Sequence, residues 1–298
     1  MNQDLIMSAE ELKRYKIKKT LGNIGIYTFL VLFALFIIIP FYWMFATSLR
    51  TARELQQTQI SFIPKYWQFV NYKEALDIAL KSGVSFFRIY FNTIFVGVFT
   101  TLGTLVTTIL AAFAFARLNF KGKEVIFSIM LATMMIPGEI FVISNYQTVQ
   151  TFGWKNTYTA LILPFIVSVF YTYFLRQTFK QIPNELYWAA KVDGVGDFKY
   201  LWKVMIPLAK STITSITILS MMGSWNAYVW PSLVANNPKL YLVTNGLINI
   251  YSNTASSDKP NVAYQMAAAF MVTVPLLFVF ILLRKQIMNG VSRGGLKG

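Results

Sequence analysis

The chain has 298 residues, of which 55% are hydrophobic and only 13% are charged; soluble domains carry about 25% charged residues, so an ordinary soluble protein is excluded and a polytopic membrane protein is indicated. The sequence contains no cysteine and no histidine, which excludes disulfides, histidine-ligated metals and Ser-His-Asp or Cys-His catalysis. The net charge of +15 is spread over short segments between apolar runs, a distribution that argues against nucleic-acid binding.

Six apolar stretches are each long enough to cross a bilayer as a helix, which takes about 20 residues. Their approximate bounds are 24–46, 91–116, 125–146, 158–179, 211–230 and 263–283. The first is longer than the core of a signal peptide and has no small-x-small cleavage site, so we interpret it as a retained span. The sequence thus predicts an all-α membrane protein with an N-terminal segment (1–23), a six-span domain (24–288) and a C-terminal tail (289–298).

The lysine and arginine residues predict the orientation of these spans, because positive charge is retained on the cytoplasmic side. If both termini lie inside, the inner segments carry 18 of the 27 basic residues and the outer segments carry 9. We therefore predict that both termini, and the segment between the fourth and fifth spans, lie in the cytoplasm.

Two of the predicted outer segments are long. Residues 47–90 include an amphipathic piece, NYKEALDIALKSG, that is suited to the membrane surface. Residues 231–262 have an apolar, strand-like centre followed by a Ser/Asn-rich end, and are suited to cover the mouth of a pathway. For both segments a plain connection is the alternative.

The segment 183–207 is longer than a connection between spans needs, and residues 176–210 hold six basic and three acidic side chains. Pro183 favours a helix start, because its missing N–H has no partner there in any case. The following ELYWAAKV is typical of a short helix. Its side chains available for packing are Leu186, Ala189, Ala190 and Val192.

A turn is predicted at Asp193-Gly194, since glycine accepts positive φ. Asp197 is expected to cap a second helix, FKYLWKVMI, which ends at Pro207. Large aromatic side chains suited to anchor a partner occur along both helices: Trp188, Tyr200 and Trp202. The two helices are predicted to form a docking knob. A pair of interfacial helices with tryptophans at the lipid headgroups is the alternative.

Polar side chains within the spans are costly, so they are candidates for function. Glu139 follows Pro137-Gly138 in the third predicted span, and we prefer a pathway-lining role for it over a structural one. The other pathway candidates are Asn145, Tyr146, Trp225, Asn226 and Tyr228. Aromatic faces and amides suit a carbohydrate, whereas an aromatic belt at the outer interface is the alternative, to which we assign Trp230.

The second predicted span carries five threonines among small residues, namely Thr100, Thr101, Thr104, Thr107 and Thr108 with Gly97, Gly103, Ala111 and Ala112. Small residues at this density predict close helix packing.

Spacing within the 183–207 segment resembles the motif of the permease subunits of binding-protein-dependent ABC importers. The motif is Glu-Ala-Ala, three residues, Gly, nine residues, Ile-x-Leu-Pro, and this chain has Ala189-Ala190, Gly194 and Val204-Met205-Ile206-Pro207 at those positions. Trp188 stands in place of the motif's glutamate, and Glu185 supplies an acid three residues earlier. The resemblance implies ATPase coupling for Glu185, Ala189, Ala190, Gly194, Val204, Ile206 and Pro207.

Further stretches are similar to the MalG-like, sugar-type branch of this family: residues 135–165, GSWNAYVWPSL and the terminal NGVSRGGLKG. The resemblance implies a type I importer permease fold with a core at about 88–288, in a bacterial cytoplasmic membrane. It also implies four kinds of partner besides lipid: a homologous permease subunit, two ATP-binding cassette subunits, a solute-binding protein and a sugar. A frayed terminus is the alternative for the tail.

No phosphate-binding G-x-x-x-x-G-K-[ST] loop occurs, so the chain itself is not expected to hydrolyse ATP. It needs no cofactor of its own in this interpretation; ATP and Mg would bind the partner ATPase subunits. Half of a sugar importer's channel, working by alternating access, is therefore the leading hypothesis. The alternatives are an ion- or proton-coupled transporter, a permease for a solute such as sn-glycerol-3-phosphate, and an intramembrane enzyme.

Overall fold

A computed structural model describes residues 9–57, 61–253 and 262–292. Within these ranges the chain forms α-helices, short 3-10 segments and one π-helical turn, and no strand. The α-helices are α1 (Ala9–Ser48), α2 (Ala52–Leu55), α3 (Val70–Lys81), α4 (Phe86–Arg117), α5 (Lys123–Thr133), α6 (Val142–Thr151), α7 (Tyr158–Ile162), α8 (Val169–Gln181), α9 (Asn184–Val192), α10 (Asp197–Tyr200), α11 (Ile206–Leu208), α12 (Lys210–Trp225), α13 (Val229–Val234), α14 (Val243–Asn253) and α15 (Val262–Ser292).

Each of the six predicted spans coincides with apolar helical structure. Three are single helices, which are long and apolar enough to cross a bilayer over Lys13–Ser48, Phe86–Arg117 and Val262–Leu282. The other three coincide with helix pairs that pass this test only together and are bent by more than 40°: Lys123–Thr133 with Gly138–Thr151, Tyr158–Phe165 with Val169–Gln181, and Asp197–Leu208 with Lys210–Trp225. In the last pair only Lys210–Trp225 corresponds to the predicted fifth span, 211–230. The all-α polytopic fold class is thus confirmed.

The breaks in the bent pairs have local causes. The 84° bend of the third span follows Met134 and precedes a 3-10 segment, Gly138–Phe141, entered at Pro137; proline cannot continue the hydrogen-bond ladder of a helix. The 43° bend of the fourth span follows a 3-10 segment containing Pro164, after which Ser168 caps α8 by accepting from the Tyr171 N–H. These helices are broken rather than curved.

The chain divides into two compact units. The first contains the described residues up to Lys73 together with 262–270. In it, Asn71 donates its side-chain amide to the carbonyls of Ser48 and Arg50, both at 2.9 Å. A reciprocal capping box between Thr51 and Glu54 begins α2. The second unit contains the described residues from Glu74 to 253 and from Met271 to 292, and it carries the candidate site.

The two long predicted outer segments are both helical where they are described. The amphipathic piece of 47–90 forms α3, as its pattern indicates. The prediction of a strand-like centre in 231–262 is wrong, because α13 and α14 occupy that stretch; a short apolar run does not distinguish a strand from a buried helix. The Ser/Asn-rich end, 254–261, lies outside the described residues, as do 1–8 and the last six residues of the predicted tail.

Within the second unit, α4 packs against α8 and α12. The prediction of close packing along its small residues is confirmed. Thr101 donates a hydrogen bond to Ser220 on α12, and Thr104 donates to the carbonyl of Phe165 at 3.0 Å. Thr107 donates to the carbonyl of Ile166. The threonines of α4 thereby satisfy carbonyl groups that the break in the fourth span leaves without helical partners.

Candidate functional site

The segment 183–207 folds as two helices joined by a glycine turn. Pro183 precedes α9 at the N-cap position, and Glu185 lies in the first turn. After α9, Gly194 has a φ of +71°, a backbone conformation that L-residues with a side chain rarely adopt. The Val195 N–H reaches back to the Ala190 carbonyl at 2.8 Å, which closes the helix end in the manner of a glycine C-cap. The predicted turn is therefore confirmed.

Asp197 links the two helices of the segment, and the prediction that it caps the second helix is wrong. Gly196 holds the cap position. The Oδ1 atom of Asp197 accepts from the Tyr187 hydroxyl at 2.7 Å and pairs with Lys191 Nζ at 2.8 Å. The hydrogen bond to Asp197 raises the pKa of Lys191. Burial, and then the same carboxylate, raise the pKa of Tyr187.

The second helix of the segment is locally widened. Between α10 and α11, residues Leu201–Met205 form a π-helical turn in which the Ile206 N–H bonds to the Leu201 carbonyl. Pro207 follows in α11, and its ring would crowd a regular helical carbonyl four residues earlier. A π-turn beside a proline is a common place for a helix to change direction. Here the chain bends by 80° into α12.

The outward face of α9 is apolar. Leu186, Trp188 and Val192 are 44%, 60% and 88% exposed. Of the four side chains predicted to be available for packing, only Ala190 contacts the core cluster, and the other three are exposed. Exposed apolar side chains grouped on one element mark an interaction surface. We call Leu186, Trp188, Ala189 and Val192 the α9 face.

The aromatic anchors and the motif positions divide between surface and core. Only 1% of Tyr200 is exposed, so its ring is not available as an anchor, whereas Trp202 is exposed. Among the residues expected to couple to an ATPase, four are exposed: Glu185, Ala189, Gly194 and Pro207. The other three, Ala190, Val204 and Ile206, are half-buried against the cluster that contains Phe179 and Met205. Motif spacing alone does not tell the exposed positions from those packed against the core.

Two buried arginines join the ends of α4, α5 and α8, and Arg117 also contacts the segment 183–207; counting charges along the sequence missed their role. Arg117 ends α4 and donates to the carbonyls of Phe179, at 2.8 Å, and Ile182, at 2.5 Å, and to the Asn184 side chain. Arg176 of α8 donates to the Phe115 carbonyl at 3.0 Å and to both carboxylate oxygens of Glu124, at 2.7 and 2.8 Å. Their exposures are 7% and 4%. The only sequence signal was an arginine at each predicted span end.

A cavity of about 360 Å³ lies among α4, α8, α12 and α13. Among the described residues, its wall contains hydroxyl groups, three aromatic rings and small residues, and no charged side chain: Val96, Thr100, Thr104, Leu161, Phe165, Val167, Ser168, Tyr171, Ser220, Gly223, Ser224, Ala227, Trp230, Pro231 and Leu242. The volume falls within the range of small-molecule sites, about 300–1,000 Å³. Trp230 is buried and donates to the Ala160 carbonyl at 2.9 Å, so its assignment to a lipid-facing belt is wrong.

None of the residues predicted to line a pathway belongs to the described wall of this cavity. Trp225 is half-buried against the Tyr90 ring, and Asn226 is exposed with its amide bonded to the Met222 carbonyl at 2.9 Å. Tyr228 is 39% exposed. The Tyr146 hydroxyl accepts hydrogen bonds from the side chains of Gln150 and Lys155. Glu139 and Asn145 are exposed.

A family of known proteins matches residues 103–292 of this chain, a range that includes the α9 face, both arginines and most of the cavity wall. It is described as the binding-protein-dependent transport system inner membrane component.

Individual relatives match over nearly the whole chain. The chain is 28% identical over 276 residues to the sn-glycerol-3-phosphate transport system permease protein UgpE of Rhizobium meliloti, covering 92% of this chain and 97% of that one. It is 27% identical to the arabinooligosaccharides transport system permease protein AraQ of Bacillus subtilis, covering 93% and 96%. It is 28% identical to the diacetylchitobiose uptake system permease protein NgcG of Streptomyces coelicolor, covering 89% and 86%.

The fold is also similar to that of a solved structure. A chain of a bacterial ABC transporter involved in the import of the acidic polysaccharide alginate superposes with a TM-score of 0.76 at 23% identity, covering 90% of this chain and 97% of that one.

Proposed function

Because the chain belongs to the family of binding-protein-dependent transport system inner membrane components, we propose that it forms one half of the membrane channel of an ATP-driven sugar importer and couples to a separate ATPase through the segment 183–207. The second half would be a homologous permease subunit. Two ATP-binding cassette subunits and a solute-binding protein complete the proposed assembly. Nucleotide chemistry, with ATP and Mg, belongs to the ATPase subunits.

The α9 face carries the coupling proposal. It combines an exposed apolar surface with a rigid base, since Gly194 closes the helix and Asp197 ties it to the second helix. Docking such a face removes apolar area from water, which favours association. Glu185, Ala189, Gly194 and Pro207 would lie at the contact. Ala190, Val204 and Ile206 would transmit movement of the docked helix to the core cluster.

The proposed orientation puts 1–23, 183–207 and 289–298 in the cytoplasm. The excess of lysine and arginine in the segments on that side supports it. An ATPase that uses cytoplasmic ATP could then reach the α9 face. ATP binding would close the ATPase dimer and tilt the spans between inward-facing and outward-facing states.

The cavity supports a neutral polyhydroxy solute over an anionic one. Its described wall residues offer hydroxyl donors and aromatic faces, and none of them is a lysine or arginine, although phosphate recognition ordinarily uses such cations. An oligosaccharide, as in the names of two relatives, fits this chemistry better than the sn-glycerol-3-phosphate in the name of the third. The pathway candidates Glu139, Asn145, Tyr146, Trp225, Asn226 and Tyr228 would lie along the route to and from the cavity.

Purification of the native complex tests the proposal. We expect an ATP-binding subunit and a second permease to co-purify, and the reconstituted complex to import a neutral oligosaccharide only with ATP and the solute-binding protein. Import by the chain without an ATPase, driven by an ion gradient, would contradict the proposal and favour a secondary transporter.

A further inference from the structure

Two buried arginines at one end of α4 and α8 cross between the same helices in opposite directions. Arg117 originates on α4 and bonds to the end of α8, while Arg176 originates on α8 and bonds to the end of α4 at Phe115. Arg176 also pairs with Glu124 at the start of α5 and lies 3.8 Å from the centre of the Phe127 ring. We call Arg117 and Arg176 the arginine pair.

The charges of the arginine pair are compensated in different ways. Arg176 has a carboxylate partner that is itself 65% exposed. Arg117 has no acidic partner among the described residues; its acceptors are two carbonyls at the C-terminal end of α8 and the Asn184 side chain. A helix C-terminus favours a cation, because its last carbonyls lack helical partners. A buried charge held only by such dipoles is sensitive to their position.

Asn184 makes this arrangement more than a helix cap. It is the first residue of α9, so one guanidinium joins the end of the second span, the end of the fourth span and the start of the helix that carries the α9 face. The chain between Ile182 and Asn184 contains only Pro183, which has no N–H to hold it. The Arg117–Asn184 hydrogen bond is thus a direct polar link from the α9 helix to α4.

The same helix α4 continues from Arg117 into the cavity wall. Thr104 lies 13 residues before Arg117, which corresponds to about 20 Å along a helix. Thr104 lines the cavity and bonds to the Phe165 carbonyl at the break in the fourth span. A displacement of α9 can therefore reach the cavity through one rigid element, and packed helices shift between discrete arrangements rather than deform continuously.

We propose that Arg117 and Asn184 are positioning residues for energy coupling: their hydrogen bond transmits displacement of the α9 helix to α4, and Arg176 keeps the α4, α5 and α8 ends moving as one body. This inference rests on the proposed function. It adds to the docking surface a specific polar link at the first residue of the same helix.

The test uses the reconstituted complex and measures solute imported per ATP hydrolysed, together with ATPase co-purification. Asn184→Ala removes the link and leaves the α8 carbonyls bound to Arg117. We expect the amount of solute imported per ATP to fall about tenfold, the order expected for losing one hydrogen bond to a charged group. Co-purification of the ATPase should be unchanged. Asn184→Asp keeps an acceptor and should retain the ratio. Lys180→Gln, an exposed cation on the same helix as Arg176, should also retain it.

A double-mutant cycle separates the link from a docking contact. In an Arg117→Lys background, Asn184→Ala should cause no further loss, because the two residues act through one interaction. Equal losses in both backgrounds, an unchanged ratio in Asn184→Ala, or a fall caused only by lost ATPase co-purification would overturn the inference. If the wild-type complex itself shows no ATP-driven import, the proposed function fails instead, so the two failures are distinguishable.

Discussion

Gly103 lies against Ile166 so closely that a Cβ atom at position 103 would sit 2.6 Å from Ile166 Cγ2. Gly103 is in the middle of α4, and Ile166 is at the break in the fourth span. Their contact sets the distance at which the Thr104 and Thr107 hydroxyls reach the carbonyls of that break. Packing at this point therefore determines the shape of the cavity that both helices line.

Gly103→Ala should destabilise the chain by about 1–3 kcal/mol, as overpacking of a well-filled interface does. Ile166 is β-branched and stiff, so it cannot move aside cheaply. Gly97→Ala on the same helix is the matched control: the new Cβ would meet the flexible end of Met221 at 3.2 Å, and that side chain can adjust. The measurement is the thermal unfolding midpoint in detergent. Equal midpoints for the two variants would contradict the packing argument.

Gly194→Val should impair ATPase docking without preventing membrane insertion. No atom lies within 4 Å of the added Cβ, so the cost is conformational: a positive φ of +71° costs a non-glycine residue about 1–2 kcal/mol. Gly196→Val is the control, because Gly196 has an ordinary φ of −66° and equal space. Solute-stimulated ATPase activity should fall only in the first variant. Normal stimulation in Gly194→Val would count against docking at this turn.

Trp188→Ala should weaken binding of the ATPase subunits by about 2 kcal/mol, roughly 30-fold in Kd, because the account makes its ring a buried anchor of the interface. The side chain is 60% exposed in the chain alone, so its removal leaves no cavity. Phe87→Ala, 81% exposed at the other end of α4, should leave the affinity unchanged. Titration of purified ATPase subunits against the reconstituted permease gives both values. Equal affinities would remove Trp188 from the interface.

Tyr171→Phe should raise the solute concentration for half-maximal import by about 2–10-fold, the loss of one neutral hydrogen bond. The Tyr171 ring lines the cavity, and its hydroxyl makes no hydrogen bond to a described residue. The coupling ratio should not change. Tyr173→Phe carries the same chemical change two residues along α8 and outside the cavity wall, so it should behave as wild type. Identical effects of the two variants would argue that the cavity does not bind solute.

Much of the fold could be predicted from the sequence because it depends on local properties. Apolar runs of span length identified the three long single helices and the three bent helix pairs. Asp193-Gly194 marked the turn that Gly194 closes, and Pro137 lies at a break. The contacts between helices that are distant in the chain could not be predicted from local sequence. Arg117 and Arg176 were counted as loop charges, yet both are buried, since their partners lie more than 50 residues away in the chain.

The candidate site shows the same division. Motif spacing identified the segment 183–207 but not which side chains point outward; Tyr200 is buried in the core cluster and Val192 is almost fully exposed. In the fifth span, polarity drew attention to Asn226 and Tyr228, whereas the cavity wall uses the neighbouring Ala227 and Trp230. Which of these side chains face the core depends on how each helix is rotated about its axis against its neighbours. That rotation is inferred from the regular spacing of apolar residues, and a broken helix interrupts the spacing.

Cysteine labelling of the α9 face tests the central claim most directly, because the chain has no native cysteine to interfere. Val192→Cys places one thiol at a position of α9 that is 88% exposed. Lys121→Cys places one in the exposed loop between α4 and α5, outside the α9 face. A membrane-impermeant maleimide is applied from the cytoplasmic side, with and without the ATPase subunits. The account predicts that the ATPase protects the thiol at position 192 and leaves that at 121 reactive; equal labelling of position 192 in both states would contradict it.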